Sequence, residues 1–401
     1  MRGHRQHRGW LADVAVGLWL SVLALMVPVL GQAAPSDAQS ELVARIHKLS
    51  LRRGHTTLSE RREVALAAQA ILAQVPDGVQ PPFAVTQREL LRQQVIEPVH
   101  RQILAGFATA DPGSLLAMME PMLDQALGDR KWRWFGLAVR PIDGDSERSR
   151  LLIVLVESGI DLVPPPAAPA LSEQPVPLRG TLHPPYVRPQ VLLTNPSGQV
   201  VPLPVVAKGR QFAGQLRCQA VGLYKIEVVG ESKQGPHVLA NFIWPCATTL
   251  PSLPLTVPQP GESAAKVVRT VAESEAELLR LLNHDRQQAG LAALVLDERL
   301  AKIARAHSEE MAKKRSVFHH SPITGTPEDR VQRAKIKGSL IAENLAQAPT
   351  EEEAERSLLD SPGHRRNILD PQLLRVGIGV AAIVTAQGNR QLYVTQLFLT
   401  E

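Results

Sequence analysis

Towards the C-terminus, apolar positions recur at helical spacing. Leu278, Leu281, Leu282 and Ala289 share one face, Ser274-Glu275-Ala276-Glu277 ahead of them has the form of a capping box, and Gly290 supplies a stop. Asp297 can cap the next helix, whose apolar stripe is Leu300, Ile303, Ala304, His307 and Met311. On that stripe His307 reads as a core imidazole bonded to backbone. Thr350-Glu351-Glu352-Glu353 opens a further helix, and Ser361 can cap a short one with Pro362 at its first position, where a missing N–H costs nothing. Val376, Ile378 and Val380 then alternate with small residues, and a turn at Gln387-Gly388-Asn389 leads to a last strand over 392–399.

The middle of the chain changes period. Strands are expected at 190–194, 200–206, 212–218, 224–229 and 238–243, with a turn at Asn195-Pro196-Ser197-Gly198, and this spacing predicts a small all-β sandwich. Gly222-Leu223-Tyr224 resembles the tyrosine corner of immunoglobulin-like sandwiches. Before it, residues 35–163 read as α+β: helices at 41–47 and 59–74, with Ser59 as a cap, and strands at 134–139 and 151–156 joined by Asp143-Gly144-Asp145-Ser146. Two segments here echo the C-terminus. Leu58-Ser59-Glu60-Arg61 parallels Leu296-Asp297-Glu298-Arg299, and Phe135-Gly136-Leu137-Ala138-Val139 parallels Val376-Gly377-Ile378-Gly379-Val380. Either the N-terminal region is a degenerate copy of the C-terminal domain, or two ordinary α+β domains coincide.

The expected organisation is multidomain: a signal peptide over 1–33, the α+β region over 35–163, a proline-rich linker over 164–177, the sandwich over 178–247, a second linker over 248–265 and a C-terminal domain over 266–401. Arg2, Arg5 and Arg8, the apolar run 14–30 and the small residues Gly31, Ala33 and Ala34 have the order of a secretory signal cut after Ala33. Export is the expected fate; the same run is long enough for a tilted span, so an uncleaved anchor is the alternative. Cys218 and Cys246 fall in one exported domain, which favours a disulfide. A net charge of +5, scattered along 401 residues, gives no basic patch for nucleic acid.

The residues with chemistry lie between 318 and 369. Phe318-His319-His320-Ser321-Pro322, Ala342-Glu343-Asn344 and Ser361-Pro362-Gly363-His364-Arg365-Arg366-Asn367-Ile368-Leu369 are too far apart to share a helix turn, so folding must assemble any site they form. Together with Leu282-Asn283-His284-Asp285-Arg286 and Ala304-Arg305-Ala306-His307-Ser308-Glu309-Glu310-Met311, they resemble the CAP superfamily of cysteine-rich secretory, antigen-five and pathogenesis-related proteins, in its bacterial, cysteine-free branch.

The resemblance covers about 273–401 and implies an α-β-α sandwich. In its cleft His320, Glu343 and His364 would converge on a divalent metal such as zinc, with His319 as an alternative register for the first ligand. Two departures stand out: the second glutamate of animal members would fall near Ser361 and is absent, and the usual Trp ahead of the last histidine is Leu358. Two imidazoles and a carboxylate suit zinc with an open position. With Glu343 as a ligand, no carboxylate remains as general base; with Glu343 as the base, only two ligands remain. A non-catalytic cleft for a metal or small molecule is therefore expected, in a monomer, and the resemblance alone implies a lipid or envelope component as a further ligand class. A metal-dependent hydrolase with Glu343 as its base and an interaction module with a vestigial cleft are the alternatives.

Overall fold

The computed structural model describes residues 37–249 and 269–400, except 55–57, 77–78, 80, 82, 99, 108–111, 129–131, 143–144, 169 and 385–389. The expected signal segment, the linker core 251–261 and the turn 387–389 lie outside the described residues.

The N-terminal unit runs α1 (Asp37–Arg52), β1 (Ser59–Glu60), α2 (Arg62–Gln74), α3 (Phe83–Arg92), β2 (His100–Phe107), α4 (Pro112–Leu127), β3 (Trp132–Ile142) and β4 (Asp145–Glu157). Its sheet has the order β1-β3-β4-β2. Along β4 the period of two sends Leu151, Ile153 and Leu155 towards α1 and α4, and Leu152, Val154 and Val156 towards α2 and α3. Helices thus cover both faces of one sheet. Ser59 is not the helix cap expected of it. Its backbone is taken by the parallel pairing of Ser59 and Glu60 with Trp134 and Phe135, and Arg61 stands at the N-cap position without a capping side chain.

The sandwich follows as β5 (Ile160–Leu162), β6 (Ser172–Leu182), β7 (Val187–Thr194), β8 (Val200–Leu203), β9 (Val205–Lys208), β10 (Gln211–Cys218), β11 (Gly222–Ser232) and β12 (Gly235–Cys246). They form two four-stranded sheets, β5-β6-β10-β9 and β12-β11-β7-β8. One shared core, including Leu178, Phe212 and Leu216 from one sheet and Val191, Ile226, Val228 and Trp244 from the other, lies between them. Cys218 and Cys246 are disulfide-bonded with a Cα–Cα distance of 5.4 Å, tying the end of β10 to the end of β12 across the two sheets. The Tyr224 hydroxyl accepts from the Ala220 N–H at 3.0 Å, the backward bond of a tyrosine corner.

Two expectations change here. The stretch 164–177 is not a free linker: residues 172–177 belong to β6, which there has β10 on one side only, the edge position at which proline is tolerated. The single strand expected over 200–206 breaks at Pro204, so that β8 pairs with β7 in one sheet and β9 with β10 in the other.

The C-terminal unit runs α5 (Val271–Gln288), β13 (Val295–Leu296), α6 (Glu298–Lys314), α7 (Pro327–Arg333), β14 (Ile341–Ala348), α8 (Glu351–Asp360), α9 (Pro362–Ile368), β15 (Arg375–Val384) and β16 (Arg390–Leu399). Its sheet has the order β13-β15-β16-β14. Leu392, Val394 and Phe398 of β16 pack with α5, α8 and α9, and Tyr393, Leu397 and Leu399 pack on the face of α6 and α7, completing an α-β-α sandwich. Gly377 and Gly379 let α6 lie directly on the sheet: a Cβ would stand 2.2 Å from the Leu300 carbonyl carbon and 2.1 Å from that of Ala304. The capping box of α5 is Thr270 with Glu273, not Ser274 with Glu277; Ser274 is buried one turn in and bonds the Thr270 carbonyl. Asp297 and Thr350 cap α6 and α8 as expected.

The two outer units share more than class. Apart from α9, their elements occur in one order, α-β-α-α-β-α-β-β, and their sheets in one order, with a two-residue parallel strand at the edge of each. Ser59-Glu60 pairs with Trp134-Phe135, and Val295-Leu296 with Arg375-Val376. The residue after each short strand donates to the strand it pairs with: Arg61 N–H to Phe135 O and Asp297 N–H to Val376 O, both at 2.9 Å. Gly136 fills the place of Gly377, its missing Cβ 2.2 Å from the Ala65 nitrogen of α2. The second sequence echo is therefore in structural register. The first is two residues out of it.

A candidate ligand cleft in the C-terminal domain

The cleft wall is built from three segments. The loop after α6 carries His319 and His320, β14 carries Glu343, and α9 carries His364. Each is fixed by a separate device. Arg330 of α7, 6 % exposed, donates to the carbonyls of His319 at 3.1 Å and Gly325 at 2.9 Å and so holds the histidine loop. Ser321 donates to Glu310 at 2.8 Å and accepts from the Ile323 and Thr324 N–H groups, fixing the turn that follows. Asn344, fully buried, donates to the His364 carbonyl and to Gln396, both at 3.1 Å, and accepts from Asn367 at 2.9 Å. The Ala-Glu-Asn and His-Arg-Arg-Asn motifs thus bind each other. Their asparagines hold α9 against β14.

Glu343 is the most constrained group of the wall. Its Oε1 accepts from His319 Nδ1 at 2.9 Å, and its Oε2 is paired with Arg330. Burial pushes its pKa up, but the His319 hydrogen bond and the charges of His319 and Arg330 outweigh that and hold it below the usual range. His364 is half-buried, with its Nδ1 enclosed and unpartnered; burial first, and the neighbouring His319 second, lower its pKa to about 3. It is neutral at pH 7, and burial is the dominant cause. His307 is core, its Nε2 2.8 Å from the Phe318 carbonyl.

Of the expected set, Glu343 and His364 lie on this wall, but Glu343 is met by His319, the alternative register, and not by His320. The ring of His320 faces the sandwich instead, 3.1 Å from where a Cβ on Gly235 would stand. As arranged, the residues do not fit the expected zinc site. Both oxygens of Glu343 are engaged, one of them by a guanidinium that a cation would have to displace, and among the described residues no three His, Cys, Asp or Glu side chains are grouped to hold a metal ion. Ser361, expected to cap α9, makes no capping bond; its hydroxyl donates to Glu227 of β11.

The sandwich completes the surroundings. Gln234, in the turn between β11 and β12, accepts at its carbonyl from the N–H groups of His319 at 3.0 Å and His320 at 2.9 Å. His237 of β12 stands beside the same two imidazoles, its Nε2 buried and unpartnered; burial, then the charges of His319 and His320, lower its pKa to about 4. Glu227 also accepts from the Gly363 N–H at 2.9 Å, and burial raises its pKa to about 7 against those two hydrogen bonds. Lys225 pairs with Asp360, and Arg365 donates to the Gly198 carbonyl at 3.2 Å. Next to this contact lies a cavity of about 710 Å³ between the loop 197–200 and α5, α9 and the residues after it. Glu227, Gln234, Gly235, His237 and Arg330 have no motif in the sequence that marks them.

Residues 279–398 match the family model described as the cysteine-rich secretory protein family, CAP. Over 111 residues the chain is 38 % identical to the uncharacterized protein YkwD of Bacillus subtilis, covering 27 % of this chain and 43 % of that one. It is 33 % identical to the uncharacterized membrane protein YlbC of the same organism, covering 27 % and 31 %. The chain thus spans less than half the length of the curated relatives it matches. Among solved structures, an extracellular protein containing a SCP domain from Bacillus anthracis is similar at 18 % identity and a TM-score of 0.30, over 60 % of this chain and 88 % of that one.

Proposed function

We propose that the chain, whose residues 279–398 match the model of the cysteine-rich secretory protein family, is an exported protein whose CAP cleft binds a ligand without transforming it. The observation that carries this reading is the state of Glu343. A general base works best with an oxygen not committed to a cation and a pKa near the working pH. Here both carboxylate oxygens are engaged and the pKa is depressed, so the group is a structural anion that fixes His319 and Arg330. Glu310 is engaged as well, by Ser321 and Lys314. The lining of imidazoles, a paired carboxylate and backbone N–H groups suits a polar ligand better than the lipid that the resemblance allows.

Export is supported by the cross-sheet disulfide, a bond that persists in oxidising compartments. No described helix is long and apolar enough to cross a membrane. The middle domain is read as immunoglobulin-like, and its bonds to α9 and the histidine loop support a docking role. The N-terminal unit is read as a degenerate copy of the CAP domain that has lost the cleft: by sheet register Gln102 stands where Glu343 does, since His100 faces Val156 as Ile341 faces Leu399.

The test is hydrolysis of peptide and ester substrates by the full chain, with and without added zinc. No turnover above background is expected, and none that Glu343→Gln alters. Turnover abolished by Glu343→Gln or His364→Ala would replace this reading with the hydrolase.

A further inference from the structure

The contact at the mouth of the cleft has an unusual form for two packed domains. One backbone carbonyl, that of Gln234, is held by the N–H groups of two consecutive residues, His319 and His320. The residue after that carbonyl is Gly235, at φ +96°, and a Cβ on it would stand 2.8 Å from His319 Cβ and 3.1 Å from the His320 ring. The turn itself is short and tight. Ser232 pairs with Gly235, and the Ser232 hydroxyl accepts from the Gln234 N–H at 3.0 Å, leaving the Gln234 carbonyl free to point at the loop. The receiving side is rigid, because Arg330 holds the His319 carbonyl and Glu343 holds the His319 ring.

Adjacent N–H groups that converge on one oxygen, beside a surface that admits no side chain, define a chemical preference: a peptide carbonyl followed by glycine. We propose that the His319 and His320 N–H pair is a receptor for an Xaa-Gly segment in a peptide turn, and that the Gln234-Gly235 turn occupies it as an intramolecular ligand. This rests on the reading of the cleft as a binding site and names its ligand class. Tethered through the sandwich, the turn is present at an effective concentration on the order of millimolar, so a peptide in solution binds only as the turn withdraws. Other domain contacts, Glu227 with Ser361 and Gly363, Lys225 with Asp360 and Arg365 with Gly198, set how often it does.

The test uses the full chain, wild type and Gly235→Val, whose side chain fits neither the φ nor the gap. Amide exchange is read at His319 and His320, and a fluorescein-labelled peptide of residues 231–237 is titrated by anisotropy. In wild type both amides are protected and the peptide binds weakly. In Gly235→Val exchange at both rises at least tenfold and the peptide binds at least tenfold more tightly, whereas the same peptide with valine at its glycine does not. Fast exchange at His319 and His320 in wild type overturns the proposal, as does a variant with opened amides and no gain in binding. Should Gly235→Val not fold, Glu227→Ala, which loosens the domain contact at α9 and leaves the turn and the histidine loop unchanged, is read on the same two measurements. Binding without cleavage supports both readings; cleavage of the bound peptide would remove the non-catalytic one and leave the receptor standing.

Discussion

Among single residues, Glu355 of α8 shows how a carboxylate can be held uncharged. It is 2 % exposed, one oxygen accepts from Gln396 at 2.6 Å and the other has no partner, and burial, then the nearby Asp285, raise its pKa to about 8. Its folded pKa lies above its unfolded value. The stability it contributes is therefore fully present below about pH 4.5 and is lost as the pH rises through about 8. His364 and His237 act in the opposite sense, contributing above their unfolded pKa and losing it as the pH falls towards about 3 and 4. Glu355→Gln isolates the first effect. Melting at pH 5.5 and 8.5 should show wild type losing on the order of a few kcal/mol relative to the variant at the higher pH. At this scale the sequence was informative about histidines and silent about their partners. The motifs mark His320, Glu343 and His364, but Arg330 carries no signal beyond being one arginine among many, and whether His319 or His320 turns inward depends on a loop that Arg330 and the sandwich hold.

Helices and strands were the most legible level, because a helix buried on one face writes a period into the chain and a strand buried on both faces writes a short apolar run. The hairpin at the end of each outer unit follows from the continuous apolar run over 151–156 and the alternation over 376–380. What periodicity does not convey is competition for backbone. Ser59, Ser274 and Ser361 all have the side chain of a cap, yet one is paired in a strand, one lies a turn inside its helix, and one is taken by Glu227. Pro175 and Pro177 likewise suggest a linker until the edge of β6 provides a place for them. Glycines in the strands are the sharper signal, since Gly377 and Gly136 each permit a helix to lie on a sheet. Gly377→Ala and Gly136→Ala should each destabilise by at least about 1–3 kcal/mol, as overpacked sites do. Denaturant titration of the two variants checks this, and a similar loss in both is expected if the outer units pack alike.

At the level of the whole molecule, sequence order conceals the essential contact. Nothing local relates residues 225–237 to residues 319–364, since their meeting depends on how two domains pack. Glu227 gives that packing a pH dependence. Its pKa of about 7 in the contact lies above the usual carboxylate range, so its contribution to docking is fully present below about pH 4.5 and fades as the pH rises through about 7. His237, on the neighbouring strand, opposes this at acid pH, while the Lys225–Asp360 and Arg365–Gly198 contacts supply attraction across the same boundary. Glu227→Gln should flatten the rise in amide exchange at Gly363 between pH 6 and 8; an unchanged rise would assign it to another group.

The short parallel strands at the edge of each outer unit bear on how such a chain is made. Each closes its sheet against a partner that emerges late, Ser59 against Trp134 and Val295 against Arg375. Contacts so distant along the polypeptide delay closure, because loop entropy opposes them until the hairpin behind them exists. During synthesis neither unit can lock before nearly all of it has left the ribosome. A passage through a narrow translocation channel requires a chain in that unlocked state.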